Sequence, residues 1–241
     1  MGKTVTLAMV KANPAFSRLI EAANNNLEVM GYTEHGIRHV GYVSRTTANI
    51  LKEIGCDERT AELGAIAGWI HDIGNVVNRI NHGLSGAVIA FELLHKMGMP
   101  MEEIAVVTAA IGNHEEQTGL PVNAVSAALI LADKSDAHRS RVRKRKADPG
   151  DIHDRVNLSI KKNYLAVDNE KHAIRLVIFM DDTSATMEYL QIYFTRMVLC
   201  EKAADFLGYK FELVINNAII NRQQPRSTRR IPKTEKEVSE E

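Results

Sequence analysis

From about residue 14 to residue 146, apolar residues recur at three- and four-residue intervals, the spacing that lays one apolar stripe along an α-helix. Val40, Val43, Thr47, Ile50, Leu51 and Ile54 make such a stripe, and Gly55 closes it. Asp57 is a natural N-cap for the next helix, which carries Ala61, Leu63, Ala65 and Trp69 and is expected to stop at Gly74. After an Asn81-His82-Gly83 turn, a helix with Val88, Leu93 and Leu94 should end at Gly98, with Pro100 beyond. Ile104, Val107, Ile111 and His114 mark a further helix. Pro121 and Asn123 introduce another through Val125, Leu129 and Asp133.

The pattern changes near Asp148-Pro149-Gly150, a strong turn signal. Tyr164–Val167 and Ala173–Met180 read as two strands joined by a tight turn at 168–171, residues 184–207 as one long helix ended by Gly208, and Phe211–Ile215 as a last strand. The expected architecture is a mainly α helical bundle, residues 1–148, followed by a small α+β domain, residues 149–221, with three strands under one helix. The polar tail 222–241 is expected to be disordered. The long helix has more apolar surface than one small sheet would cover, so a homodimer through this second domain and a plain core are equal readings.

Composition alters this picture little. The 241 residues are 45% hydrophobic and 25% charged, with 30 basic and 30 acidic side chains and no formal net charge, which gives no global attraction to nucleic acid or anionic lipid. A basic run at Arg139, Arg141, Arg143, Lys144, Arg145 and Lys146 is the local exception. Two distant cysteines, Cys56 and Cys200, suggest neither disulfides nor a thiolate site and fit a reducing cytoplasm. No apolar run is long enough to span a membrane, and nothing at the start of the chain reads as a secretory signal.

Six polar residues sit awkwardly on apolar faces. His39 shares a face with Val43, Thr47 and Ile50, and His71 and Asp72 end a helix whose inner face is small. His114 and Asp133 each continue an apolar stripe, and His82 lies in the turn between helices. A buried carboxylate without a partner costs several kcal/mol, and Asp72 at a helix C-terminus adds about 0.3–1 kcal/mol from the backbone dipole. A single histidine on an apolar face is most often a hydrogen-bonded core residue. Four histidines and two aspartates in one helical region point instead to a shared divalent cation. The other histidines, His95, His138, His153 and His172, follow no such scheme and read as surface residues.

The order His39, His71-Asp72, Asp133 resembles the HD superfamily of metal-dependent phosphohydrolases over roughly residues 30–142. HDIGN at 71–75 resembles its HDIG motif, and HGLSGA at 82–87 is similar to the segment that supplies a second-metal histidine. GNHEEQTGLP at 112–121 and LADKSDAHRSR at 131–141 resemble its later motifs. The resemblance implies that His39, His71, Asp72 and Asp133 hold one metal, and that Asp72 bridges to a second held by His82 and His114. Such imidazole and carboxylate donors suit Fe, Mn, Co or Ni better than Mg. Leu120 stands where the cyclic-dinucleotide enzymes carry a tyrosine, which argues against that substrate. Asn75 stands where many relatives carry a phosphate-binding lysine, and His35 where the cyclic-dinucleotide enzymes carry a glutamate.

The implied activity is hydrolysis of a phosphoester or phosphoanhydride in a small nucleotide-like molecule, by metal-activated water at a two-metal site, and a dinucleotide polyphosphate is a sensible first substrate. Asp72, Lys134 and Arg139 are the expected catalytic residues. Arg38, Asn75, Arg79, Lys134 and Arg139 are the expected substrate contacts, because guanidinium forks grip two phosphate oxygens. Asp136 is either a support for a ligand imidazole or the start of a salt bridge to Arg139 or the turn at Ser140. An HD-fold di-iron oxygenase and a non-catalytic nucleotide-sensing module are the alternatives.

Overall fold

Helix boundaries in this chain are set by short polar caps and by glycine. The structure, a computed structural model, describes residues 4–143, 148 and 150–221; the tail from Arg222 and the run Lys144–Lys146 lie outside the described residues. The helical part comprises α1 (Leu7–Ala12), α2 (Pro14–Val29), α3 (Ile37–Glu53), α4 (Glu58–Ile70), α5 (His82–Lys96), α6 (Met101–Gly112) and α7 (Ala124–Ser135). Asp57 caps α4 by accepting the Thr60 N–H at 2.9 Å, and Asn123 and Ser126 cap α7 reciprocally. Gly55 and Gly98, both at positive φ, follow α3 and α5.

Beyond residue 148 come α8 (Ile152–Ser159), β1 (Ile160–Asp168), β2 (Ala173–Met180), α9 (Thr186–Phe206), β3 (Lys210–Ile215) and β4 (Ala218–Ile219). The sheet order is β1-β2-β3-β4, with β2 and β3 parallel and the other pairs antiparallel. The protein is thus mainly helical with a small four-stranded sheet. α1, α8 and β4 go beyond the sequence reading: α1 and β4 have 6 and 2 residues, too few to show a period. α8 is announced only by Asp151, whose side chain accepts the His153 N–H.

One continuous buried core runs from α3, α4 and α7 into the sheet, joining Leu51, Ile66, Ile70 and Leu129 to Leu176, Leu199 and Phe211. α9 packs against α7 as well as β3. Much of the apolar surface on α9 that suggested a dimer face is therefore covered within the chain, while Met187 and Phe194 stay exposed.

α3 and α4 are the pair on which the site is hung, and they approach very closely. A Cβ at Gly68 would lie 2.8 Å from the Ser44 Cα and 2.9 Å from the Ser44 nitrogen, and the Ser44 hydroxyl donates to the Ala65 carbonyl at 2.7 Å. Gly68→Ala should push these helices apart and cost about 1–3 kcal/mol, as overpacked cores do. Thermal unfolding checks this, with a midpoint several degrees below wild type as the expected result.

Candidate metal centre

α4 ends at Ile70, earlier than the Gly74 expected from periodicity, and this early stop creates the site. His71 and Asp72 fall in the turn between α4 and a short 3-10 segment, Ile73–Val76. Asn75 stabilises the turn, its side-chain amide donating to the Asp72 carbonyl at 3.0 Å and to Asp72 Oδ1 at 3.1 Å. Gly74 lets α5 approach, since a Cβ there would collide with the His82 carbonyl. His114 likewise falls just past the end of α6, while His39 sits in the first turn of α3 and Asp133 in the last of α7.

The structure brings all six residues together. His39 and His71 are fully buried, and Asp72, His82 and His114 are 5% exposed or less. Each histidine has its Nδ1 fixed from outside the cluster. His39 Nδ1 lies 2.6 Å from Asp136 Oδ2, His71 Nδ1 3.0 Å from the Gly68 carbonyl and His114 Nδ1 2.6 Å from the Ile111 carbonyl. His82 Nδ1 lies 3.0 Å from both Glu115 Oε1 and the Arg79 carbonyl. A donating Nδ1–H leaves Nε2 as a bare lone pair facing inward. The four Nε2 atoms meet in two pairs: His39 and His71 at 3.3 Å, His82 and His114 at 3.1 Å.

The carboxylates divide between these pairs. Asp72 Oδ2 is 3.3 Å from His71 Nε2 and 3.6 Å from His39 Nε2, while Asp72 Oδ1 is 3.2 Å from His82 Nε2 and 3.8 Å from His114 Nε2. Asp133 Oδ1 lies 3.3 Å from His39 Nε2 and 3.7 Å from His71 Nε2. Three overlapping sets result, His39-His71-Asp72, His71-His114-Asp133 and Asp72-His82-His114, each with its donor atoms within 4.8 Å of one another.

This donor set fits a divalent cation. Among the described residues Asp72 Oδ2 is buried with no hydrogen-bond partner, a costly state for a carboxylate oxygen unless a positive charge faces it. Burial alone would raise the Asp72 and Asp133 carboxyls. It is outweighed by His71 and the neighbouring imidazoles at Asp72, and by Lys134 with His39 and His71 at Asp133, so both lie well below the usual carboxylate range. Burial likewise opposes the charged form of His71, yet Asp72 and Asp133 push it up to about 10. Burial wins at His114, which falls to about 4. The cluster draws positive charge to its centre.

The other expected residues are placed unevenly. Arg38 is committed to support, its guanidinium donating to Asp136 at 2.7 and 3.2 Å and to Glu34 at 2.9 Å. Asp136 takes the first of its two expected roles: it holds His39 and does not pair with Arg139. Arg139 itself is a correction to the sequence reading. Its guanidinium donates to the Leu158 carbonyl at 2.9 Å and reaches Asp181 at 3.4 Å, tying α7's far end to the sheet rather than lining the cluster. His35 has both nitrogens engaged, Nδ1 donating to the Thr33 carbonyl and Nε2 accepting from Arg141, each at 2.7 Å. Burial and Arg141 hold it far below the usual histidine range, as a neutral ring. Neither lone pair is left for a metal.

Lys134 reaches Asp133 Oδ2 at 2.6 Å and Glu116 Oε1 at 3.2 Å, and Glu116 in turn meets Arg196 of α9 at 2.9 Å. Glu115, Glu116 and Arg196 were missed from sequence. Only the EE after His114 signalled the first two, and nothing signalled Arg196. A cleft of about 480 Å³ opens beside the cluster, lined by His82, Arg79, Lys134, Glu115, Glu116 and Arg196 among others. A chamber of about 200 Å³ adjoins it and shares Tyr32, Arg79, His153 and Arg196 with it.

The class defined by this fold and site is that of a mainly helical protein with a buried His/Asp cluster that could hold a metal ion. No protein-family model and no curated protein matches the chain. A solved structure described as a predicted HD superfamily hydrolase, from an uncultured Thermotogales bacterium, is similar over 52% of this chain and 68% of its own, with 26% identity and a TM-score of 0.41. Among the described residues, no helix is long and apolar enough to cross a membrane.

Asp136 supports the centre without touching it. Asp136→Asn should weaken metal affinity by roughly ten- to a hundredfold, as losses of such supporting carboxylates do. Competition with a chromogenic chelator measures this, and unchanged affinity would contradict the role.

Proposed function

We propose that the protein is a metal-dependent phosphohydrolase that cleaves a phosphoester or phosphoanhydride bond in a small, nucleotide-like molecule, using two divalent transition-metal ions. The observation that carries this reading is the division of Asp72, whose Oδ2 faces the His39-His71 pair and whose Oδ1 faces the His82-His114 pair. That is the arrangement expected of a carboxylate bridging two ions. His39, His71, Asp72 and Asp133 would hold the first, and Asp72, His82 and His114 the second. Imidazole-rich donors favour Fe, Mn, Co or Ni over Mg. Cations bound there supply Lewis acidity, making water more acidic and offsetting charge on phosphoryl oxygens.

The chain's own residues orient and screen. Lys134 occupies Asp133 Oδ2, which leaves Oδ1 directed at the cluster. Arg79, with its terminal nitrogen 3.3 Å from His82 Nε2, stands at the cleft side of the centre, where a guanidinium can hold phosphate oxygens. Asn75 fixes the turn that presents Asp72. Burial of the cluster keeps bulk water from competing with these contacts.

Elemental analysis of anaerobically purified protein should find near-stoichiometric transition metal, and a panel of phosphomonoesters, phosphodiesters and nucleotides should yield phosphate release. Asp72→Ala should lose both metal and turnover. Metal-free, inactive wild type would sink the reading, and oxygen uptake without phosphate release would favour an oxygenase.

A further inference from the structure

The sheet has two edges, and they are finished differently. β4 closes one of them with Ala218–Ile219 alone, a length that gives a partner almost no main chain to pair with. β1 forms the other, running from Ile160 to Asp168 and paired with β2 only. The direction of its main-chain groups follows from β2. The Lys210 N–H donates to the His172 carbonyl and the Asn216 N–H to the Ile178 carbonyl, so even-numbered β2 residues turn to β3 and odd-numbered ones to β1. With Tyr164 opposite Val177 and Ala166 opposite Arg175, β1 bonds β2 through its even-numbered residues. Asn163, Leu165 and Val167 therefore turn their N–H and C=O groups to the open edge.

The start of that edge is covered. His138 Nε2 donates to the Lys161 carbonyl at 3.2 Å, and Arg139 Nε to the Ile160 carbonyl at 3.4 Å. From Asn163 to Val167, the edge-facing main-chain groups meet no partner among the described residues. The side chains of these three residues face inward: Asn163 donates to the Ser135 carbonyl, and Leu165 and Val167 pack on the core. The other face of β1 carries Lys162, Tyr164, Ala166 and Asp168. Lys162 lies over the Tyr164 ring at 5.1 Å and meets no carboxylate among the described residues. Asp168 shares Arg175 with Glu212, at 3.1 and 2.6 Å, so two carboxylates there face one guanidinium. One end of this face is positive and the other negative.

We propose that β1 pairs with β1 of a second copy of this chain, antiparallel across a two-fold axis through Leu165, joining the two sheets into one. That axis engages every open group. It sets Leu165 opposite Leu165 of the second copy and Asn163 opposite its Val167, each pair exchanging two hydrogen bonds. It also sets Lys162 opposite Asp168 of the second copy, at both ends of the junction, and Tyr164 beside the small Ala166 of that copy. An axis through Asn163 or Val167 leaves part of the open edge unpaired and moves Lys162 away from the opposing Asp168. The register that satisfies the backbone is thus the one that pairs the unpartnered lysine with the acidic corner. The homodimer uses β1 and not α9, which packs on α7 and β3 within the chain.

Sedimentation equilibrium of the full chain should find a dimer. Hydrogen exchange should show the amides of Asn163, Leu165 and Val167 protected in it and exchanging at least tenfold faster after dilution to monomer. Lys162→Glu, at an exposed position that spares the fold, should raise the dimer dissociation constant at least tenfold. Asp168→Lys should do the same alone, and an equimolar mixture of the two variants should dimerise again, because each chain then meets opposite charge at both ends. A monomer at every concentration, a dimer in which the three amides exchange freely, a dimer indifferent to Lys162→Glu, or two folded variants that do not recombine would overturn the proposal. If Asp168→Lys upsets its own hairpin turn, the exchange and Lys162→Glu measurements still decide.

Discussion

Four imidazole Nε2 atoms turned inward in two pairs, 3.3 and 3.1 Å apart in a buried space, call for positive charge among them, whether a proton or a cation. Each Nδ1 is pinned from outside, by Asp136, by the Gly68 and Ile111 carbonyls, or by Glu115 with the Arg79 carbonyl, so none of the rings can turn away to relieve the repulsion. Two carboxylates add negative charge to the same volume. A proton on His71 offsets part of this, and a divalent cation offsets more, because it faces several donors at once. Much of the surrounding architecture maintains this constraint: the early end of α4, the close crossing of α3 and α4 at Gly68, and the approach of α5 over Gly74.

The residues that meet in the cluster were legible in the sequence because several of them violate a local rule. His39 and Asp133 are polar residues on apolar stripes, and Asp72 is an anion after a helix C-terminus; such conflicts mark function when they recur in order. The helices carrying His39 and Asp133 were equally plain, since α3 bears a long apolar stripe closed by Gly55 and α7 opens on an Asn123 cap. Supporting residues were harder to see. Asp136 obeys its local rule, standing just after a helix that ends in polar residues, and its bond to His39 spans 97 positions. Arg139 misled because nearness to Asp133 in sequence suggested nearness in space. α7 ends at Ser135, and the chain then turns so that Arg139 faces the sheet. Arg196 was invisible because its partner lies eighty residues away on the loop after α6.

That last contact bears on what the α+β part is for. A run of alternating charges starts at Asp133 and passes through Lys134 and Glu116 to Arg196. Each link is short, and all but the last lie close to the core. Burial disfavours the charge on Lys134, yet Asp133 and Glu116 together raise its pKa, and the Glu116 carboxyl is held down to about 2 despite burial of its own. In a chain of this kind every member depends on the next, since removal of one leaves its neighbour with an uncompensated charge in a poorly solvated place. α9 is thereby fastened to the donor cluster by electrostatics as well as by its packing on α7. A helix used only to cover the bundle would have needed the packing alone. With the ion pair in place, α9 is held at a defined distance from the donor cluster.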